Sequence, residues 1–303
     1  MKLAVPDMIS NSYFPAIAAI ELGFFREEGL DVELELLFPV DKTYAALRDG
    51  AIDFVAGSAH SALAAFPEWK GVKLLCAQAQ GMYWFLIMRK DLGAKRGDID
   101  VVKGRRIGAA PWVEMGLRGL LTEAGIDLAR DKVQIAPVPG AVGATVNFGL
   151  TAAKALEEGK IDGFWANGMG AEVAVRNGVG TMVLDVRRGD GPKPCFNDTI
   201  ASIATSHRVL EQAPHVSAAT VRALDKTHAA LKQDVSLATK VGRKRFPPAE
   251  AELIAELIRR DLPYYTTGIS RDFLAGMNAF ARRMGILSGD VPYDAIVAPE
   301  GRV

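Results

Sequence analysis

The sequence predicts an α/β protein built as two facing lobes, and three observations carry that prediction. Short β-like runs alternate with helical patterns up to about residue 206, the grammar of mixed, mainly parallel sheets flanked by helices. Leu47-x-x-Gly50-x-Ile52-Asp53 recurs as Leu156-x-x-Gly159-x-Ile161-Asp162, every matched residue displaced by 109 positions. A chain of 303 residues also accommodates two domains at roughly 100–200 residues each.

The elements follow in order. Leu3–Pro6 reads as a first strand. Asn11 and Ser12 offer capping oxygens, and Pro15 suits the first turn of a helix through Leu22. Gly29-Leu30-Asp31 turns into a strand at Val32–Leu37; Thr43–Asp49 reads as a helix, Ile52–Ala56 as a strand and His60–Phe66 as a helix. Val72–Ala77 and Trp84–Met88 are expected to complete the first set of strands. A second set comprises strands at Arg106–Ala109, Val133–Val138, Asp162–Trp165 and Met182–Val186, with helices at Glu114–Ala124 and Thr145–Glu158. Thereafter the pattern is helical: Pro247-Pro248 opens a helix with Leu253, Ile254, Leu257 and Ile258 on one face, and Arg271–Met284 forms another, stopped at Gly285.

The repeat has a physical reading. A helix closes at a glycine in the left-handed conformation and the chain turns into a buried strand. A weaker echo, Gly29-Leu30-Asp31-Val32 against Gly125-Ile126-Asp127-Leu128, keeps the same order at a displacement of 96. Asp53 and Asp162 begin strands in both halves, away from the ligand-binding end, and read as turn residues.

Composition narrows function. Lys+Arg and Asp+Glu are equal at 36 each, so the net charge is zero, which argues against a nucleic-acid binder. Two cysteines, Cys76 and Cys195, are too few for a disulfide scaffold, and the four histidines lack metal-ligand spacing. No catalytic residues, metal or cofactor are therefore expected. The uncharged stretch Val133–Ala153 is broken by Pro137, Pro139, Gly140, Gly143 and Gly149, so no membrane insertion is expected. No export signal is visible before Leu3, so the expectation is a cytoplasmic protein or a mature form with an added Met. There is neither a Gly-x-Ser-x-Gly elbow nor a phosphate loop.

Ligands of open parallel sheets sit beyond the carboxyl ends of the strands. Two facing lobes therefore place the candidates in Asp7–Phe14, Gly57–Ser61, Gln80–Trp84, Pro111–Gly116, Ala166–Gly170 and Phe196–Thr199. Asp7 suits an amine or a turn, and Asn11 a ligand or a helix cap. Ser58, Ala59 and His60 open a helix whose N-terminal N–H groups suit an anion, with Ser58 also a plain cap. Tyr13, Phe14, Tyr83, Trp84 and Trp112 supply aromatic walls for a planar ligand, although large aromatics such as Phe14 commonly belong to the core. Glu114 suits a ligand donor or its own helix dipole, and Asn167 reads donors and acceptors. These segments hold no Lys or Arg, which points to neutral ligands, or to carboxylates bound by N–H groups and hydroxyls.

At this point a resemblance becomes visible. Ala16–Gly23-Phe24-Phe25-Arg26-Glu27-Glu28-Gly29-Leu30-Asp31-Val32, the two copies of the repeat, and Val102-Lys103-Gly104-Arg105-Arg106-Ile107-Gly108 resemble periplasmic substrate-binding proteins of ABC transporters. The group is the one serving sulfonates, taurine, nitrate and thiamine-pyrimidine precursors; Asn278–Leu287 resembles its late helix more loosely. The resemblance implies a type II fold, with lobe one formed by residues 1–90 and 200–303 and lobe two by 91–199. It implies a monomeric receptor that closes by a hinge around a small organic, planar or carboxylate ligand, with a permease and an ATPase as partners and the periplasm as location. A cytosolic enzyme of the decarboxylase, thiamine-pyrimidine or menaquinone-pathway kind, or a ligand sensor, is the alternative on the same scaffold.

Overall fold

The computed structural model, which describes residues 1–303, shows what the repeated motif does. The helix Val40–Arg48 ends just before Gly50 (φ +78°) and Phe148–Glu157 just before Gly159 (φ +68°), a conformation that glycine adopts without a Cβ clash. Each turn feeds a strand through an aspartate. Asp53 Oδ2 accepts from the Lys2 backbone N–H at 2.8 Å, and Asp162 Oδ2 from that of Arg106 at 2.9 Å. Both carboxylates pin the start of a neighbouring parallel strand, the turn role read from the sequence.

Ten strands run along the chain: β1 (Lys2–Val5), β2 (Glu33–Leu36), β3 (Phe54–Ser58), β4 (Val72–Ala79), β5 (Phe85–Arg89), β6 (Arg106–Ala109), β7 (Gln134–Ala136), β8 (Gly163–Ala166), β9 (Gly180–Asp185) and β10 (Ala201–Ser206). They form two sheets of five, in the orders β2-β1-β3-β10-β4 and β7-β6-β8-β5-β9. The sheets follow one plan. Three parallel strands are followed by one strand, β10 or β5, antiparallel to both of its neighbours.

That plan corrects one expectation. Trp84–Met88 does not complete the first set of strands: β5 pairs with β8 and β9 in the second sheet. The chain passes between the lobes at Gln80–Trp84, ahead of residue 90. A local pattern shows that a strand exists; the sheet it joins depends on partners far along the chain. The return strand β10, unread in the sequence, is Ala-Ser-Ile-Ala-Thr-Ser and buried throughout. His60–Phe66 is also shorter than expected, a 3₁₀ turn at Ala59–Ala64, and an unforeseen helix spans Gly168–Arg176.

The second passage between lobes connects β9, ending at Asp185, to β10, beginning at Ala201, and the two passages lie side by side. Met82 N–H donates to Phe196 O at 2.9 Å, and a Cβ on Gly81 (φ +75°) would come within 2.3 Å of the Phe196 ring. Arg187, buried at the second passage, donates to Gly81 O at 3.3 Å and pairs with buried Asp261 at 3.3 Å. The C-terminal region returns to the first sheet through a bridge from Val297 to Leu74 in β4, and a second bridge, Ile269 to Arg302, ties that region to itself. Its helix Pro248–Asp261 buries Ile254, Leu257 and Ile258, and also reaches the second lobe, Arg260 meeting Glu172 at 2.8 Å. No helix is long and apolar enough to cross a membrane.

Candidate ligand site between the lobes

The strand ends of the two sheets face each other across a narrow chamber of about 30 Å³, room for about one water molecule, so an organic ligand enters only as the lobes part. Pro6, Asp7 and Tyr13 follow β1, Phe38 and Val40 follow β2, and Trp84 sits on the passage between lobes. The second lobe contributes Ala110, Val113, Phe148, Ala166 and Asn167. A more open groove continues outward past Phe38 and Phe148, with Lys42 and Pro111 on its walls. The lobes are closed on one another. Phe38 N–H donates to Ala144 O at 2.8 Å, and the Phe38 and Phe148 rings stack at 5.8 Å and 15°.

Asp7 is the polar centre of the chamber. Its Oδ2 accepts from Gly149 N–H at 3.0 Å and from Asn167 Nδ2 at 2.7 Å, both in the second lobe. Asn167 is held for this by its own Oδ1, which caps the helix Gly168–Arg176 by accepting from Met169 and Gly170 N–H. Asp7 Oδ1 is buried with no partner. Burial pushes the carboxyl up to about 7, against Gly149, the nearby backbone N–H groups of Ile9 and Phe148, and Asn167, which favour the charged form.

His60 crosses the lobes on a different line. Its Nε2 lies 3.0 Å from Trp112 O, and its Nδ1 lies 2.9 Å from Thr199 Oγ1. A carbonyl only accepts, so Nε2 carries the proton and Nδ1 accepts from the threonine hydroxyl. Burial holds the imidazole down at about 4, so it is neutral at pH 7. Trp112 presents that carbonyl from a left-handed backbone (φ +68°), which costs on the order of 1 kcal/mol for a residue with a Cβ.

Of the residues singled out in the sequence, Asp7, Tyr13, Trp84 and Asn167 line the chamber. Tyr83 stands behind it, its hydroxyl 3.0 Å from that of Tyr13. Asn11 donates from Nδ2 to Asp261 at 2.7 Å, and its side chain presses on Gly168, where a Cβ would meet it at 2.8 Å. Three readings need correction. Phe14 points into the core, edge-on to Phe246, because the helix Phe14–Glu21 buries that face. Ser58, Ala59 and His60 offer no anion site: the Ser58 hydroxyl meets that of Ser61 at 2.6 Å, Ala59 N–H donates to Ile200 O, and both His60 nitrogens are bonded. Trp112 and Glu114 are half-buried and outside the chamber lining, and burial raises the Glu114 carboxyl.

Phe38, Val40, Phe148 and Lys42 were missed, although the strand-end rule applies to β2 and β7 as well. Extending it to Phe38–Lys42 and Pro137–Phe148 finds the stacked pair. It also finds a lysine at the mouth, so the cleft region is not wholly without a cation.

A family profile described as NMT1/THI5 like matches residues 10–234. No curated protein matches the chain in sequence. Among solved structures, the ligand-binding component of an ABC-type import system from Staphylococcus aureus superposes with a TM-score of 0.73 at 12% identity, covering 99% of this chain and 96% of that one. The periplasmic nitrate-binding protein NrtA from Synechocystis PCC 6803 gives 0.69 at 16%, covering 97% and 83%. The desulfurization enzyme DszB, in complex with biphenyl-2-sulfinic acid, gives 0.65 at 17%, covering 99% and 96%. At these identities the likeness is one of fold.

Proposed function

We infer the function from this premise: the chain belongs to the NMT1/THI5-like family. It is a solute receptor of an ABC importer, capturing a small organic molecule between two lobes that close by a hinge and handing it to a permease driven by an ATPase. The lobes are residues up to the first passage together with the C-terminal region, and the segment between the two passages. One observation carries the reading: the chamber is lined from both lobes, so a bound molecule and a closed cleft stabilise each other. Its aromatic walls, Tyr13, Phe38, Trp84 and Phe148, suit a planar ligand. The import component from Staphylococcus aureus and the periplasmic nitrate-binding protein share the fold, which supports the receptor role and the periplasm as its location.

DszB shares the fold as well, so an enzyme is the second reading. The chamber lining includes Asp7, Tyr13 and Asn167 as its polar side chains and neither cysteine, so nucleophilic thiol chemistry has no group there. Native mass spectrometry of the purified chain decides between them. A receptor carries one small molecule released unchanged on denaturation, and its radius of gyration shrinks when that molecule is returned to the stripped protein. Recovery of a chemically altered molecule after incubation favours the enzyme.

A further inference from the structure

We propose that the Asp7 carboxylate both reads the ligand and latches the lobes: Oδ2 holds the second lobe through Gly149 and Asn167, while Oδ1 receives a hydrogen bond from a protonated amine or amidine on a small planar ligand. This rests on the receptor reading and adds the chemical class of the solute.

The first support is the unpartnered oxygen. Asp7 is 5% exposed and lines the chamber, and its Oδ1 has no hydrogen-bond partner. A buried carboxylate oxygen without a donor costs free energy that a ligand donor recovers. The second is that most positions suited to an anion are already taken by the chain. Several α-helices of the sheet layers begin at the cleft. At Phe148–Glu157 the Gly149 N–H is bound by Asp7, at Gly168–Arg176 the N–H groups are bound by Asn167, and Glu114–Glu123 opens on its own acid; Val40–Arg48 has no side-chain cap but carries Asp41 in its first turn. An anionic ligand would displace these groups or lie against them.

The third support is charge. Tyr13, with Tyr83 behind it, and the Asn167 amide are the polar side chains that face Asp7. No Lys, Arg or His lines the chamber. Arg187 stacks beneath Tyr83 at 5.8 Å but is paired with Asp261, and Lys42 is exposed in the outer groove. Compensation for an ionised Asp7 therefore falls to the ligand, and the faces of Tyr13, Trp84 and the Phe38–Phe148 pair also attract a cation. A cation at Oδ1 releases the Asp7 proton to solvent, and the ionised carboxylate is the stronger acceptor at Oδ2. Recognition thereby tightens closure.

Benzamidine and benzoate test this, since they share a ring and carry opposite charges. In calorimetric titrations at pH 8 the stripped protein should bind benzamidine at least about tenfold more tightly than benzoate. The benzamidine affinity should fall about tenfold from pH 8 to pH 6 as Asp7 takes up its proton. Asp7→Asn, verified as folded by its melting transition, should lose the preference. Asn167→Ala should weaken benzamidine but keep the preference, because Oδ1 remains charged. Benzoate binding as tightly as benzamidine, benzamidine failing to bind, or an Asp7→Asn protein that retains the preference overturns the assignment. The receptor reading is judged separately, by the co-purified molecule and ligand-dependent compaction, and survives if benzoate is the probe that binds and compacts the chain.

Discussion

Among the contacts that join the lobes, two buried polar seams differ in what they leave unfinished. At the His60 seam every polar atom of the ring is satisfied, by Thr199 on one side and Trp112 O on the other, and aromatic edges from Trp84 and Phe280 close around it. At the Asp7 seam two donors reach Oδ2 while Oδ1 makes no hydrogen bond. Other buried oxygens, Asn11 Oδ1 and Asp198 Oδ2 among them, also lack a partner, but of these residues Asp7 is the one that lines the chamber. Both residues are buried, both follow strands of the first sheet and both touch the second lobe. Completeness of bonding separates a structural fastening from a site that waits for a ligand.

The largest test of this contrast is His60→Ala. It leaves a cavity against Phe280 and Trp84 and strands the Thr199 hydroxyl and Trp112 carbonyl, so equilibrium unfolding should show a loss of about 3–5 kcal/mol. Ligand affinity of the folded fraction should change far less. A large affinity loss with little destabilisation would break the distinction between the seams.

Asp7→Asn should act in the opposite direction on stability. The Asp7 carboxyl is raised from 3.8 to about 7 on folding, so its contribution is fully present below pH 3.8 and lost as pH rises through 7. Removing the charge should therefore stabilise the unliganded protein by about 2–4 kcal/mol at pH 8, with the gain vanishing near pH 4. His60 works the other way. Its folded value of about 4 lies below the free imidazole at 6.5, so its contribution is full above pH 6.5 and lost as pH falls through 4. His228 is lowered in the same sense and Asp198 raised to about 6. Melting profiles of each variant minus the parent isolate the single residue. A difference profile for Asp7→Asn that is flat in pH would mean its carboxyl is not buried as described. A stability gain coupled to a binding loss is the usual relation between a prepared site and its scaffold.

How far the sequence reaches can be seen residue by residue. The glycine–aspartate turns were legible because they are local: a left-handed glycine and a carboxylate over an adjacent strand end need only a few residues of context. Asp7, Tyr13, Trp84 and Asn167 were legible because they follow strand ends. Membership of β5 in the second sheet was not, since β8 and β9 lie about 80 to 100 residues away along the chain. β10 escaped because Ala, Ser and Thr dominate it, and burial between β3 and β4 replaces the usual apolar signal. The distinction between Asp7 and His60 is not in the sequence at all. It depends on which polar atoms find partners when the lobes meet.

A smaller effect separates two tryptophans. Trp84 lines the chamber and packs on Tyr83 at 4.9 Å, so Trp84→Ala should weaken benzamidine about tenfold or more, read by calorimetry. Trp112 serves the His60 seam through its backbone carbonyl and does not line the chamber. Trp112→Ala should change affinity by less than about threefold, since alanine keeps that carbonyl. Equal losses in the two variants would extend the ligand site into the His60 seam.

The smallest effect belongs to Lys42, which is exposed on the outer groove rather than in the chamber. A single solvated charge at the mouth acts on approach, through a field screened beyond about 10 Å at 0.1 M salt. For cationic benzamidine, Lys42→Ala should raise the association rate by less than about twofold at low salt and leave the dissociation rate unchanged. The difference should disappear at about 0.5 M salt, where screening is nearly complete at that range. Stopped-flow quenching of Trp84 reads both rates. A change confined to dissociation would place the lysine against the bound molecule, and the groove and the chamber would then form one site in which Lys42 partly offsets the charge of Asp7.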